Sequence, residues 1–355
     1  MSRGSSVTVA FLTSARAWRG SGVSLANIAH GLRERGHRPH LLAGEHAVVE
    51  GFAHRGLPAQ RVPTADTTLP AVLALARALR TLQADCLIVD RPRDLRLGAL
   101  ASVLYPVRLI NRYNLSRTRP PRDFVSRLAY HQVSLTIFVS HTNARQALGA
   151  GRYLSRRPYR VIHEGVGPEF HPDIAAAAAF KAQLELSGRD FVLAVGSLTA
   201  DKRYSFLLHA FHQLGTRAPV LVVCGDGPLR DQLKSEARDL TVDARFLGLV
   251  DPGALRGAYS SALCFVHACG IETFGLSVLE AMACACPVVA VNQGAVPEVL
   301  GDTGILSSDL PADFAAQLRD LMASPERQRA LGSAGRQRAT SLFSLARMQR
   351  EHSEA

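Results

Sequence analysis

An alternation of short apolar runs with amphipathic segments, carried through the chain twice, is the feature that most limits how it folds. Residues 7–12 read as a buried strand and residues 23–35 as an amphipathic helix closed by Gly36. A strand over 39–43, a helix near 70–82 and strands over 86–89, 107–111 and 135–140 follow. The rhythm restarts with a strand over 191–196, a helix over 204–214, a strand over 220–224 and a helix around 229–239. Strands over 245–247, 264–267 and 288–291 then alternate with helices over 252–260 and 275–284. Repeated strand–helix units predict parallel, doubly wound α/β sheets.

With 355 residues the chain exceeds one ordinary domain of ~100–200 residues, so two Rossmann-like domains are expected. Gly165, Gly167, Pro168 and Pro172 interrupt regular structure between the halves. We divide the chain at 1–168 and 169–338, with a last segment, 339–355, whose helix is expected over 342–351.

No apolar run approaches the ~20 residues of a membrane-crossing helix, and the N-terminal run of residues 7–12 is too short for a secretory signal, so a cytoplasmic protein is expected. The six cysteines show no CxxC spacing and lie mostly in apolar segments, which reads as core packing; Cys284 and Cys286 lack partners for a metal site, and no metal is expected. The net charge of +11 is uneven: residues 91–160 hold fourteen arginines, no lysine and only Asp94 and Asp123 as acids. Such a face suits phosphate groups or an anionic membrane surface, and equally a solvated basic face. Nothing there matches a nucleic-acid-binding signature.

The segment Glu272-Thr-Phe-Gly-Leu-Ser-Val-Leu-Glu280 follows an apolar strand and opens a helix. The N–H groups of Phe274, Gly275 and Leu276 lie at the positive end of that helix, where a diphosphate fits. Glu272 and Glu280 flank this point, and carboxylates accept hydrogen bonds from sugar hydroxyls. Gly20 and Gly22, between the first strand and helix, permit close backbone approach, but the full G-x-G-x-x-G fingerprint is missing, which disfavours a nicotinamide cofactor.

With its neighbours this segment resembles glycosyltransferase family 4, also called glycosyl transferases group 1. The matching pieces are the E-x7-E motif at Glu272 and Glu280, the run Pro287-Val-Val-Ala290 with Gly294, Pro297 and Glu298, the turn Val223-Cys-Gly-Asp-Gly-Pro228, and Val195-Gly-Ser-Leu-Thr-Ala-Asp-Lys202. The resemblance implies a GT-B fold, two Rossmann-like domains facing a cleft, and a retaining, metal-independent enzyme using a nucleotide-diphosphate sugar as co-substrate. It implies that Lys202 neutralises the departing diphosphate, Glu272 contacts the transferred sugar and Glu280 holds the ribose. Ser197 lies in the phosphate-contacting loop, and main-chain groups near Val250 read the base. The last helix is expected to return to the first domain.

The sequence departs from the family in two places. Relatives carry an arginine where Ser197 or Asp201 stands, leaving Arg203 as a substitute cation, and a histidine where this chain has Asn111-Arg112-Tyr113-Asn114. Arg112 and Asn114 then become the acceptor-side candidates; His131, His141 and His163 read as structural or exposed. The expected acceptor is a glycan or lipid-linked glycan of surface polysaccharide, lipopolysaccharide or glycolipid synthesis. Two alternatives stay open: a nucleotide-sugar epimerase of the same fold, and a non-catalytic sugar-nucleotide-binding scaffold.

Overall fold

The computed structural model describes residues 6–18, 20–64, 67–114, 123–150, 154, 157–185, 189–215 and 218–355. The chain divides into two compact units, residues 1–164 with 345–355, and residues 165–344.

In the first unit, β1 (Thr8–Thr13), β2 (Arg38–Ala43), β3 (Ala59–Arg61), β4 (Cys86–Val89), β5 (Arg108–Tyr113), β6 (Val133–Phe138) and β7 (Tyr159–Val161) form a parallel sheet in the order β3-β2-β1-β4-β5-β6-β7. Every residue of β1 and β4 is buried, as a parallel sheet covered on both faces requires. Successive side chains leave opposite faces of a strand. Phe11 and Ile88 accordingly join a core with Leu25 and Ile28 of α1 (Gly20–Glu34) and Phe52 of α2 (His46–Ala53). Leu12, Leu87 and Val89 join a second core with Leu75 and Leu79 of α3 (Leu69–Leu82) and Leu95 of α4 (Pro92–Leu104). The helices α5 (Phe124–Gln132) and α6 (His141–Gly149) begin at side-chain caps: Asp123 accepts from Ser126 N and Ser140 from Asn143 N.

Several boundaries differ from expectation, those of the first and last helices among them. The first helix begins at Gly20 rather than residue 23, so both of its early glycines sit in a helical turn. A Cβ on Gly22 would lie 3.1 Å from the Trp18 ring, which packs edge-on against Phe52 at 5.0 Å; glycine here makes room for indole. The last helix runs over Leu345–Ser353 rather than 342–351, because Leu342 still belongs to the helix before it, Pro325–Leu342. Its Met348 enters the core beside α1, and Gln349 donates to Asn27 O at 2.9 Å.

In the second unit, β8 (Phe191–Val195), β9 (Val220–Cys224), β10 (Ala244–Gly248), β11 (Phe265–His267), β12 (Val288–Val291) and β13 (Ile305–Ser307) form a parallel sheet in the order β10-β9-β8-β11-β12-β13. Val192, Val223 and Val266 pack with Leu207 and Phe211 of α8 (Tyr204–Leu214), α7 being Ile174–Gln183. On the other face Phe191 meets Phe180 at 5.9 Å, and Phe265 meets Tyr259 of α10 (Pro252–Ser261) at 5.7 Å, α9 being Arg230–Asp239.

In both sheets the strand order reverses direction at one place, between β1 and β4 and between β8 and β11. There the loops leaving the carboxyl ends of neighbouring strands turn to opposite faces and open a crevice, the usual ligand position in such sheets.

Candidate functional site

At the reversal in the second sheet, Lys202 comes from the loop after β8 and Glu272 from the loop after β11. Lys202 Nζ donates to Glu272 Oε2 at 2.6 Å. A 3₁₀ turn over Ala200–Lys202 sets the lysine, and Gly270 N donates to Asp201 O at 3.3 Å, tying the two loops together. A third loop, after β12, fixes the glutamate: Ala295 N donates to Glu272 O at 2.9 Å. Gly294 makes that approach possible, with φ +59° and a position where a Cβ would stand 2.4 Å from Glu272 O.

Burial alone would push the Glu272 pKa up, but His267 and the Lys202 charge outweigh it and hold the carboxyl well below the usual range. His267 Nε2 lies 3.3 Å from Glu272 Oε2, the oxygen that also takes the Lys202 ammonium. Burial works against the charge on Lys202, and Glu272 reverses that, leaving the lysine pKa raised. Both shifts favour the charged forms of the pair, whose side-chain exposures of 23% and 13% leave it reachable from solvent.

Glu280 lies on α11 (Leu276–Ala283), which starts directly after the Glu272 loop. Tyr259 Oη donates to Glu280 Oε2 at 2.9 Å, while burial pushes the Glu280 carboxyl up to about 7. Gly275, at φ +101°, is the N-cap, and no side chain caps this helix. Leu279 N is the N–H bonded back to Gly275 O, at 3.0 Å, so the earlier N–H groups of the first turn have no partner in their own helix. Phe274 turns its side chain inward, 5.7 Å from Phe343 and 2% exposed, so only its main chain is placed near an anion at this end. The result is a positive helix terminus flanked by a lysine and two carboxylates.

Ser197 sits in the β8 loop, its Oγ 3.2 Å from Thr199 Oγ1. This loop interlocks with the turn after β9: Leu198 N donates to Asp226 O at 3.1 Å, and a Cβ on Gly225 would stand 1.9 Å from Gly196 O. Arg203, in the left-handed region at φ +54°, is engaged elsewhere: it bonds Asp309 and lies over the Phe206 ring at 4.8 Å. Val250 is half-buried in the loop between β10 and α10, next to the largely exposed Leu249.

In the first unit, Arg112, expected on the acceptor side, is instead wholly enclosed at 2% exposure. Its Nη1 donates to Asp90 Oδ1 at 2.6 Å, and its Nη2 to Ser24 Oγ at 2.7 Å and to Glu164. Burial opposes the charge, but Glu164 and Asp90 more than offset it and raise the Arg112 pKa. Asn114 Nδ2 donates to the same Asp90 oxygen at 3.0 Å and is only half-buried. Asp94 on α4 accepts from Ser14 N at 3.1 Å across the β1–β4 reversal, and burial pushes its carboxyl up to about 7. Gly20 is exposed at the start of α1, whereas Gly22 is committed to Trp18; Arg19 lies outside the described residues.

Sequence reasoning missed Tyr259, His267, Cys269 and Asp309. The pattern of His267 and Cys269, two residues apart at a strand end and three before Glu272, is the one visible signal.

The pattern of the family described as Glycosyltransferase Family 4 matches residues 18–170, and that of Glycosyl transferases group 1 matches residues 177–338. The chain belongs to this glycosyltransferase family and has the GT-B fold. Alpha-maltose-1-phosphate synthase of Mycolicibacterium smegmatis is 29% identical over 284 residues, covering 70% of this chain and 72% of that one. The GDP-mannose-dependent alpha-(1-6)-phosphatidylinositol monomannoside mannosyltransferase of the same organism is 32% identical over 181 residues, 47% of each chain. The crystal structure of Anabaena HepE in complex with UDP and glucose superposes with a TM-score of 0.85 over 98% of both chains at 20% identity, a likeness of fold. No described helix is long and apolar enough to cross a membrane.

Proposed function

We propose that this glycosyltransferase takes a hexose from a nucleotide-diphosphate sugar and passes it to an acceptor hydroxyl with retention of anomeric configuration. The observation that carries the proposal is the Lys202–Glu272 pair at the sheet reversal, beside an uncapped helix terminus with Glu280 one and a half turns inside. In this reading the diphosphate lies at the N–H groups of Gly275 and Leu276, and Lys202 takes up the negative charge that develops as the sugar leaves. Glu272 holds sugar hydroxyls, Glu280 the ribose, and main chain near Val250 the base. A fixed ammonium and helix terminus supply the stabilisation without a metal. Arg203, held by Asp309, contributes charge near the site and Ser197 a hydroxyl. The leaving phosphate takes the acceptor proton on the face it vacates.

Donor binding is assigned to the second unit, residues 165–344 rather than 169–338, and the acceptor side to the first, residues 1–164 with 345–355 rather than 1–168 with 339–355. Asn114 beside Asp90 is the acceptor-side candidate, with Arg112 setting their positions. Relatives named for phosphatidylinositol mannoside synthesis support a glycolipid or lipid-linked glycan as acceptor. Exposed Phe124, Val125 and Leu128 on α5, next to Arg127, support peripheral contact with an anionic membrane at its cytoplasmic side.

The test is steady-state transfer with a panel of nucleotide sugars and lipid-linked acceptors, with the product anomer read by NMR. Lys202→Ala and Glu272→Ala should abolish transfer; full turnover in either variant would count against the proposal.

A further inference from the structure

His267 and Cys269 have no part in the transfer chemistry above, yet both converge on Glu272. His267 is the last residue of β11 and 5% exposed; its ring lies against Phe265, with centroids 6.1 Å apart and planes at 26°. Its Nε2 is buried without a hydrogen-bond partner and points to Glu272 Oε2 at 3.3 Å. Cys269, 2% exposed, is a free thiol whose sulfur accepts a hydrogen bond from Ile271 N–H. The imidazole nitrogen, the sulfur and a Glu272 oxygen all lie within 4.8 Å of one another.

A tetrahedral ion with bonds of ~2.0–2.3 Å holds its ligand atoms roughly 3.3–3.8 Å apart, so small rotations suffice to close this set around one ion. One nitrogen, one sulfur and one carboxylate oxygen favour zinc-like ions over magnesium or calcium, which take oxygen ligands. We propose that His267, Cys269 and Glu272 form an inhibitory site for a thiophilic divalent cation of the zinc class, which displaces Lys202 from Glu272. On binding, the thiol releases its proton to solvent, the neutral imidazole donates its Nε2 lone pair, and Glu272 exchanges an ammonium for the metal. Lys202 keeps its proton and is repelled.

Inhibition rests on the donor-site reading above; metal binding does not. The purified enzyme is titrated with Co2+ alone while the thiolate-to-cobalt charge-transfer absorption is recorded, and transfer is then assayed with Zn2+ and after EDTA. The wild type should gain the band at one equivalent and lose activity reversibly. Cys269→Ser should lose the band and tolerate at least roughly tenfold more zinc, and His267→Gln should weaken cobalt binding to a similar degree. Unchanged thermal unfolding of both variants without metal confirms that they fold. No band, or a band that persists in Cys269→Ser, overturns the metal site and leaves the transferase reading intact. A Cys269-dependent band without inhibition supports the metal site and counts against Lys202 and Glu272 as donor-site residues.

Discussion

Lys202 and Glu272, 70 residues apart in sequence, meet at 2.6 Å where the order of the second sheet reverses. The two loops that carry them leave adjacent parallel strands, β8 and β11, so fold topology rather than local sequence brings the charges together. Removing the lysine leaves a largely buried carboxylate without its counter-charge and removes the cation assigned to the leaving group. Lys202→Ala should lower kcat about 100- to 1,000-fold, equivalent to ~3–4 kcal/mol of transition-state stabilisation. Single-turnover rates at saturating donor are the check.

Glu280 gives a pH dependence to nucleotide binding. Its carboxyl is pushed up to about 7 by burial, and ribose hydroxyls are bound by the ionised form. Donor affinity should increase as pH rises through about 7, with proton release on binding below that pH. Calorimetry in buffers of different ionisation enthalpy reads the proton directly, and Glu280→Gln should abolish the release.

The same shift has a stability consequence of opposite sign. A carboxyl with a raised folded-state pKa binds its proton more tightly folded than unfolded, so stability falls as pH rises from the unfolded value and levels off above the folded one. For Glu280 the window runs from 4.5 to about 7, and for Asp94 from 3.8 to about 7. Each costs on the order of 3 kcal/mol above that window. Asp94→Asn should therefore raise the melting temperature at pH 8, gain little near pH 4, and leave nucleotide affinity unchanged.

Arg112 joins α1, the end of β4 and Glu164 through three acceptors, which only a planar guanidinium can span. Arg112→Met should destabilise the protein by about 3–5 kcal/mol, because Asp90 and Glu164 are left buried and uncompensated. Arg112→Lys should recover little of this. Urea unfolding followed by circular dichroism measures both.

Gly294 is a sensitive point remote from the reacting atoms in chemistry but not in geometry. Ala at this position meets both a positive φ and a Glu272 oxygen at 2.4 Å, so the Glu272 loop has to shift. Gly294→Ala should lower kcat/KM more than ten-fold, on the order of the penalty for misplacing a catalytic group by an ångström. Steady-state kinetics beside melting curves separates this from general unfolding.

Much of the fold was legible because its strands are buried on both faces and read as unbroken Val, Ile and Leu runs. The strands Cys86–Val89, Val220–Cys224 and Val288–Val291 and the helix Tyr204–Leu214 coincide with expectation. Helix α4 was missed because its Arg-Pro-Arg-Asp opening is polar and much of its buried face is small, with Gly98, Ala99 and Ala101. The start of α1 was misplaced because Gly20 and Gly22 are poor helix formers, Gly22 being held by packing on Trp18. The E-x7-E spacing carried Glu272 and Glu280 locally. The burial of Arg112 was not legible, since a strand arginine ordinarily reads as exposed and its acid partners stand 22 and 52 residues away.

Binding of nucleotides to the second unit tests the central claim most directly. The melting temperature is measured with UDP, GDP, ADP and their sugars for the wild type and Glu280→Ala, since a ligand that binds only the folded state raises stability by mass action. The account predicts a selective rise with one nucleotide family that is reduced or lost in Glu280→Ala. No rise with any nucleotide, or one indifferent to Glu280, would contradict it.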